Sequence, residues 1–273
     1  MHITNKISKC FYKFASKEFP KPVQNFINKS YVNILGLEMG EFESPSSYKT
    51  LNGLFTRSLV KPRIFDESKN NFICVADSYV SSQGEIQDGI ALQIKGMNYS
   101  IDRLFTSNVS QENIEKLKNG SFMNFYLSPK DYHRYHSPYD ARVTKLIHIP
   151  GKLYPVNFTY LNKQEELFVE NERVIVECVT QENKLFYMAY IGALNVGKMV
   201  FDFEPRVSTN EDTSEIKVYE YDDLHIKKGE CLGHFKMGST VLVFWEKDMV
   251  ALENLEDTKV RFTDIIATLK VNN

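Results

Sequence analysis

The stretch Gly238-Ser239-Thr240-Val241-Leu242-Val243-Phe244-Trp245 begins with two small residues, and an apolar run follows them. β-branched and aromatic residues dominate positions 240–245, and a run of that length and composition is typical of a strand. Two other runs, Arg173–Val179 and Leu185–Ile191, have the same character. Such short runs dominate from about residue 72 onward, so this stretch predicts one strand of a β-rich body.

The first part of the chain has helical features instead. Phe19-Pro20 ends an opening helix, because proline disfavours the α conformation in the residue before it. A second helix is predicted over about residues 23–37, and a third follows Ser46-Ser47, where a serine can cap the first turn. The sequence therefore divides into a helical region at residues 1–58 and a β-rich region at residues 59–273, which together make an α+β fold.

Length, charge and cysteine content limit the classes of protein. A chain of 273 residues can bury a full core, and its net charge of -2 gives no indication of a nucleic-acid partner. The sequence has no stretch of the roughly 20 apolar residues that cross a bilayer, and its N-terminus lacks the apolar core of a secretory signal. We therefore expect the chain to stay in the cytoplasm, where widely spaced cysteines remain reduced thiols. The cysteines are Cys10, Cys74, Cys178 and Cys231.

An amphipathic pattern is present at the N-terminus. Apolar side chains recur at helical spacing, and lysines occupy much of the remaining surface. Such a helix can lie in the interface of an anionic membrane, or it can pack on its own domain with its lysines in water. Both interpretations stay open on the sequence. The apolar residues are Ile3, Ile7, Phe11 and Phe14, and the lysines are Lys6, Lys9, Lys13, Lys17, Lys21 and Lys29.

The only paired histidines of the sequence lie in the segment Asp131-Tyr132-His133-Arg134-Tyr135-His136-Ser137-Pro138. Two imidazoles three residues apart can share a metal ion, but no third ligand stands at a matching interval nearby, which argues against a metal site. Alternatively, His133 and its charged neighbours satisfy one another in a polar loop. In a third interpretation, His136 acts as a base and His133 has a second role at the same place.

Ser239 can react with its own backbone because a glycine precedes it. A serine hydroxyl can attack the carbonyl of the preceding peptide bond and form an ester by N-to-O acyl shift, and Gly238 removes the side-chain obstruction to that attack. Once a base takes the serine α-proton, elimination and hydrolysis leave a pyruvoyl group and ammonia. The triplet alone is weak support, since Gly-Ser-Thr usually marks a turn before a strand.

The histidine segment and the Gly238-Ser239-Thr240 triplet together resemble the phosphatidylserine decarboxylase family. Enzymes of this family are made as inactive chains that cut themselves before the serine of Gly-Ser-Thr. The resemblance implies cleavage between Gly238 and Ser239 into a large chain of residues 1–238 and a small chain of residues 239–273. It also implies a covalent pyruvoyl cofactor derived from Ser239, the electron sink for decarboxylation of phosphatidylserine to phosphatidylethanolamine.

A second match supplies a carboxylate for the base. Val75-Ala76-Asp77-Ser78 is similar to the family's Pro-x-Asp-Gly segment, with valine and serine in place of proline and glycine. The resemblance implies a triad in which Asp77 orients the base His136, and His136 activates the nucleophile Ser239. His133 is then expected to bind the substrate carboxylate or to shape the pocket, and no metal ligand is predicted.

The resemblance also implies an architecture and partners. N-terminal helices are expected to cap a β-rich body with barrel-like sheets, and the enzyme is expected at the cytoplasmic face of the cell membrane as a peripheral protein and possible homodimer. Two other classes stay open. One is a Ser-His-Asp hydrolase that does not cut itself, although the sequence lacks the Gly-x-Ser-x-Gly elbow. The other is a non-catalytic lipid-binding homologue. Both predict an uncut chain, whereas the decarboxylase predicts two fragments.

Overall fold

The computed structural model describes residues 2–87, 90–94, 97–156, 166–194, 198–236 and 239–270, with the backbone alone for 90–94, 97, 98 and 239. Two long helices and a short one begin the chain, and strands with a few short helices follow. The predicted α+β fold is confirmed. The helices are α1 (Ile3–Ala15), α2 (Lys21–Leu35), α3 (Leu51–Phe55), α4 (Ile101–Phe105), α5 (Gln111–Leu117) and α6 (Leu167–Glu170).

The strands form one large sheet, two three-stranded sheets and a hairpin. They are β1 (Asn71–Ile73), β2 (Ser78–Glu85), β3 (Ile90–Ile94), β4 (Met97–Ser100), β5 (Ser121–Leu127), β6 (Arg134–His136), β7 (Ala141–Ile149), β8 (Arg173–Val179), β9 (Leu185–Ile191), β10 (Met199–Phe201), β11 (Lys217–Ile226), β12 (Cys231–Phe235), β13 (Ser239–Trp245), β14 (Val250–Leu252), β15 (Lys259–Val260) and β16 (Ile265–Leu269).

The large sheet has the strand order β11-β7-β8-β9-β13-β5-β2-β15, and every neighbouring pair is antiparallel. Within the described residues β11 and β15 are its edges, so the barrel-like sheets expected from the resemblance take the form of an open sheet. Strand β13 lies between β9 and β5. The start of the small chain therefore belongs to the middle of the sheet.

The central strands are mostly apolar because both faces of the sheet are covered. On one face, Phe105 of α4 packs edge-on against Phe244 and against a tyrosine of β9. On the other face, Phe72 of β1 packs against Phe186 and Trp245. This two-sided packing explains why the uninterrupted apolar runs in the sequence form strands rather than helices.

The smaller sheets bring distant segments to the histidines. Strand β12 pairs with β6, so that Cys231 lies opposite His136, and β12 also pairs with β10. The second small sheet has the order β1-β16-β14. Because β15 pairs with the start of β2, the C-terminal segment returns to the region of Asp77.

The N-terminal helices form a separate small apolar cluster with α3, comprising Ala15, Leu51, Leu54 and Phe55. The second helix was expected at about residues 23–37 and lies two residues earlier at both ends. The predicted serine cap of the third helix is wrong. Ser46-Ser47 belong to a single 3₁₀ turn, and Thr50 caps α3 by accepting a hydrogen bond from the Gly53 N–H at 2.9 Å.

Candidate active site

His136 is buried at the end of β6, and both nitrogens of its ring have partners. Nδ1 lies 2.9 Å from the Gly229 carbonyl oxygen, and Nε2 lies 3.2 Å from the Tyr132 hydroxyl. A carbonyl can only accept a hydrogen bond, so this arrangement assigns the proton to Nδ1. Nε2 therefore has a free lone pair and accepts from the hydroxyl. A general base needs such a nitrogen.

Burial lowers the pKa of His136 to about 4, mainly because water no longer solvates the imidazolium. The hydrogen bond to Gly229 and the charge of Asp77 act in the opposite direction, but both effects are smaller. The imidazole is therefore neutral at pH 7. The Nε2 atom of this neutral ring can therefore accept a proton directly.

Asp77 lies in the segment between β1 and β2, and Arg63 binds its carboxylate. The two Arg63 Nη atoms contact the two carboxylate oxygens at 2.6 and 2.8 Å, and the Phe262 N–H donates to Oδ1 at 3.0 Å. The same guanidinium binds Glu41 through Nε and Nη2 at 3.0 and 2.9 Å. Bidentate contacts of this kind fix the orientation of the carboxylate and also pair its charge.

Asp77 and His136 are neighbours without a hydrogen bond between them among the described contacts. Phe262 touches both, since its N–H binds Asp77 and its ring stacks on the His136 imidazole with centroids 3.8 Å apart. The Gly229 carbonyl occupies the nitrogen that a triad carboxylate would hold. The triad role of Asp77 thus stays a prediction, and its effect on His136 in this state of the chain is electrostatic.

Ser239 begins β13, where its backbone lies opposite Leu127 of β5. Gly238 lies outside the described residues, as does the Ser239 side chain. The preceding strand β12 ends at Phe235, whose N–H donates to the His133 carbonyl at 3.0 Å. Four residues of chain reach at most about 14 Å, so this backbone contact keeps Ser239 close to the histidine segment.

His133 is fully buried and packs against Phe55 of α3, with ring centroids 4.0 Å apart. Its Nδ1 donates to the Asp131 carbonyl at 2.8 Å, and its Nε2 has no hydrogen-bond partner among the described residues. Burial lowers the pKa of His133 to about 3, and the nearby Arg57 guanidinium adds a smaller effect in the same direction. His133 is therefore a second neutral imidazole, in surroundings different from those of His136.

A cavity of about 440 Å³ lies beside this cluster. Asp77, Tyr132, Arg57 and Arg63 contribute to its walls. Charged groups of both signs line it, which suits a polar ligand. Its wall includes Tyr132, whose hydroxyl contacts His136 Nε2.

Within the described ranges, no group of three or more His, Cys, Asp or Glu side chains is arranged to hold a metal ion. No helix in those ranges is long and apolar enough to cross a membrane.

Sequence reasoning did not find three residues that hold this cluster together. Tyr132 lies inside the histidine motif, which is a signal of proximity but not of its contact with His136. Arg63 follows a lysine and a proline in a segment without periodicity, and Phe262 follows a two-residue strand near the C-terminus. No local pattern in the sequence could have identified Arg63 or Phe262.

A neutral imidazole with an unprotonated Nε2 is suited to acid–base catalysis. Comparison with known proteins identifies the family to which the chain belongs. A family model described as phosphatidylserine decarboxylase matches residues 51–268. The chain is 40% identical over 273 residues to the phosphatidylserine decarboxylase proenzyme of Helicobacter pylori (strain Shi470), covering 99% of each chain.

Two more distant relatives carry the same name. Identity is 37% over 272 residues to the Campylobacter jejuni protein, covering 98% of this chain and 100% of the relative. It is 34% over 275 residues to the Idiomarina loihiensis protein, covering 97% and 92%. The chain belongs to the phosphatidylserine decarboxylase family. The predicted family and enzyme class, a decarboxylase made as a proenzyme, are thereby confirmed.

Proposed function

We propose that this chain cuts itself between Gly238 and Ser239 and then converts phosphatidylserine to phosphatidylethanolamine. The contact between the Phe235 N–H and the His133 carbonyl is the observation that best supports this proposal. It ties the chain just before Ser239 to the segment that carries both neutral histidines. The family and the name of its relatives agree with the proposal.

The cut needs a base, and His136 has the properties of one. Its Nε2 takes the proton of the Ser239 hydroxyl as the hydroxyl oxygen attacks the Gly238 carbonyl carbon, and the bond from that carbon to the Ser239 nitrogen breaks. The ester that forms loses the serine α-proton and expels the Gly238 carboxylate. The dehydroalanine left on the small chain tautomerises, takes up one water and releases ammonia. The new N-terminus is a pyruvoyl group.

The surroundings of Ser239 fit a pyruvoyl group. Strand β13 is paired on both sides, with β5 and with β9, so the cut end stays in the sheet instead of leaving the protein. The carbonyl of His133 binds the Phe235 N–H four residues before Ser239, and its buried Nε2 has no hydrogen-bond partner among the described residues. A pyruvoyl group at the start of β13 would supply an electron sink for the decarboxylation of an amine substrate.

The two histidines are suited to different tasks in the mature enzyme. The proton on Nδ1 of His133 leaves Nε2 as an acceptor, so this nitrogen suits an N–H group of the substrate better than the substrate carboxylate. His136 can hold a proton at Nε2 and return it to the carbon that has lost carbon dioxide. Tyr132 keeps that nitrogen oriented through its hydroxyl.

Self-cleavage is tested by denaturing gel and intact mass of the purified protein. We expect two fragments, 1–238 and 239–273, the smaller one blocked to Edman sequencing. Ser239→Ala is expected to give one full-length chain without decarboxylase activity. Ser121→Ala is the matched control, because Ser121 also follows a glycine and also begins a strand of the same sheet.

The outcomes separate the three classes of protein. A full-length chain that hydrolyses esters through Ser239 identifies a hydrolase, and a full-length chain that only binds lipid identifies a non-catalytic homologue. Cleavage that persists in Ser239→Ala, or that is lost equally in Ser121→Ala, contradicts the proposed site.

We further propose that helices α1 and α2 bind an anionic membrane surface, which would place the enzyme at the cytoplasmic face of the membrane as a peripheral protein. Part of the apolar surface of these helices packs on the cluster with α3, but other apolar side chains are exposed while several polar ones are buried. Asn28 is fully buried, whereas Phe26 and Ile34 are 72% and 81% exposed. The same pattern holds in α1, where Asn5 and Ser8 are buried and Ile3, Ile7 and Phe14 are exposed.

Vesicle sedimentation tests this surface. The double variant Phe26→Gln and Ile34→Gln is expected to bind anionic vesicles less well than the parent at equal self-cleavage. Added salt is expected to weaken binding of the parent, because each exposed lysine near such a surface contributes about 1 kcal/mol and is screened. Ile64→Gln is the control, since Ile64 is 96% exposed but lies outside both helices. Equal binding of parent and double variant rules out this surface.

A further inference from the structure

One aromatic residue of the predicted small chain touches both large-chain members of the predicted triad. Phe262 is 3% exposed, and its N–H donates to Asp77 Oδ1 at 3.0 Å. Its ring lies on the His136 imidazole with centroids 3.8 Å apart and planes 6° from parallel. A cut at Gly238 leaves Phe262 on the same fragment as Ser239.

Main-chain contacts before and after Phe262 hold this residue beside Asp77. Val260 of β15 pairs with Ser78, directly after Asp77. Two residues beyond Phe262, the Asp264 carbonyl accepts from the Cys74 N–H at 2.8 Å. Residues 261–263 are thus held at both ends by the segment that carries Asp77. The position of the ring follows from main-chain pairing as well as from its own packing.

Arg63 completes the assembly from the other side. Its guanidinium binds Asp77 and lies over the Phe262 ring at 5.1 Å from the centroid. The aromatic ring therefore has a cation near it and the His136 imidazole stacked on it. Removing the ring uncovers the face of the His136 imidazole on which it stacks.

We infer that Phe262 is a positioning residue for self-cleavage, one that holds the His136 imidazole in plane, shields it from water and fixes the Asp77 carboxylate. This inference rests on the proposed function. The predicted small chain would then contribute to its own cleavage from the precursor, because the fragment that carries Ser239 also orients His136. Phe262 acts through its contacts with His136 and Asp77.

The charged and titratable groups around His136 come from several elements. Asp77 precedes β2, Arg63 precedes β1, Arg134 lies on β6, and the Tyr132 hydroxyl contacts Nε2. Burial has the largest effect, and it lowers the pKa of His136 to about 4. Loss of the Phe262 ring reduces that burial, so the pKa is expected to rise toward the ordinary value of about 6.5.

The direct test is an NMR titration of the histidine rings in the Ser239→Ala chain, which does not depend on cleavage. The His136 signal, assigned with His136→Gln, is expected to titrate near pH 4 in this parent and between about 5 and 6.5 when Phe262→Ala is added. Phe262→Tyr, which keeps the ring, should restore the low value. Phe203→Ala is the matched control, because Phe203 also packs against aromatic rings in a loop but does not contact His136.

The second arm measures the rate of cutting. Chains with Ser239 are made by cell-free translation, synthesis is stopped, and the uncut fraction is followed from pH 5.5 to 8. We expect a flat profile for the parent. For Phe262→Ala we expect a loss at pH 5.5 relative to pH 8 that follows the neutral fraction of His136 at its titrated pKa and reaches about tenfold for a pKa near 6.5. A His136 titration and a pH profile unchanged in Phe262→Ala overturn the inference. A parent that titrates as expected but never cuts contradicts the proposed function instead.

Discussion

Burial lowers the pKa of His133, His136 and His234, which makes the folded protein sensitive to acid, and His133 has the lowest value of the three. Its pKa is lowered to about 3 by burial, against about 6.5 in an unfolded chain. The unfolded chain therefore binds a proton that the folded chain does not bind between these values. The stabilising contribution is complete above pH 6.5 and is lost as the pH falls toward 3.

The magnitude follows from the two pKa values. At pH 5 the unfolded state is favoured by the proton it binds at His133, and the free energy of unfolding falls by about 2 kcal/mol relative to pH 8. With a urea dependence of about 3 kcal/mol per molar, this lowers the midpoint by roughly 0.7 M. His133→Phe removes the titrating group and keeps the aromatic contact with Phe55.

The assay is urea unfolding of His133→Phe and of its parent at pH 8 and pH 5, both in the Ser239→Ala chain so that a single polypeptide unfolds. The other titrating groups contribute equally to both proteins, so the difference between the two pH shifts isolates His133. His225→Phe is the control, because His225 lies in the exposed edge strand β11 and its replacement should leave the shift unchanged. Equal pH shifts in His133→Phe and the parent would refute the reasoning.

The remaining predictions concern the proposed chemistry. Asp77→Ala and His136→Ala are expected to accumulate the uncut chain, since the base is then misplaced or missing, and normal processing of Asp77→Ala would remove Asp77 from the triad. His133→Ala is expected to cut at least in part while its mature fraction decarboxylates poorly, as measured by fragment amounts and carbon dioxide release from the same preparation. Full activity of that variant would leave His133 with a structural role only.

The strands of the sheet centre could be predicted from sequence because local pattern and tertiary environment agree there. Both faces of β8 and β9 are buried, so every position selects an apolar or well-partnered residue and the run is continuous. Helix α4 was not predicted. It has five residues, and it is stabilised by the packing of Phe105 on Phe244 and Tyr187 rather than by its own sequence.

The candidate site shows the same division. The histidine motif and the Gly-Ser-Thr triplet could be read from the sequence because each is continuous. Arg63 and Phe262 could not be read in this way. Arg63 lies in a loop 14 residues before Asp77, and Phe262 reaches Asp77 through the pairing of β15 with β2. The sequence also predicts that Asp77 orients His136, whereas the Gly229 carbonyl binds the ring at Nδ1 in this state of the chain.

The contact between Asp77 and Arg63 changes what a carboxylate does for this base. The charge of Asp77 raises the pKa of His136, and the charge of Arg63 lowers it. Because the two groups bind each other at 2.6 and 2.8 Å, their fields at the imidazole largely oppose one another, and burial remains the main influence. Removing Asp77 alone leaves Arg63 with Glu41 as a carboxylate partner but removes a charge that raises the pKa of His136, which makes the imidazole a weaker base. Asp77 can therefore support the cut without holding Nδ1, by keeping the charge of Arg63 from acting on the nitrogen that takes the serine proton.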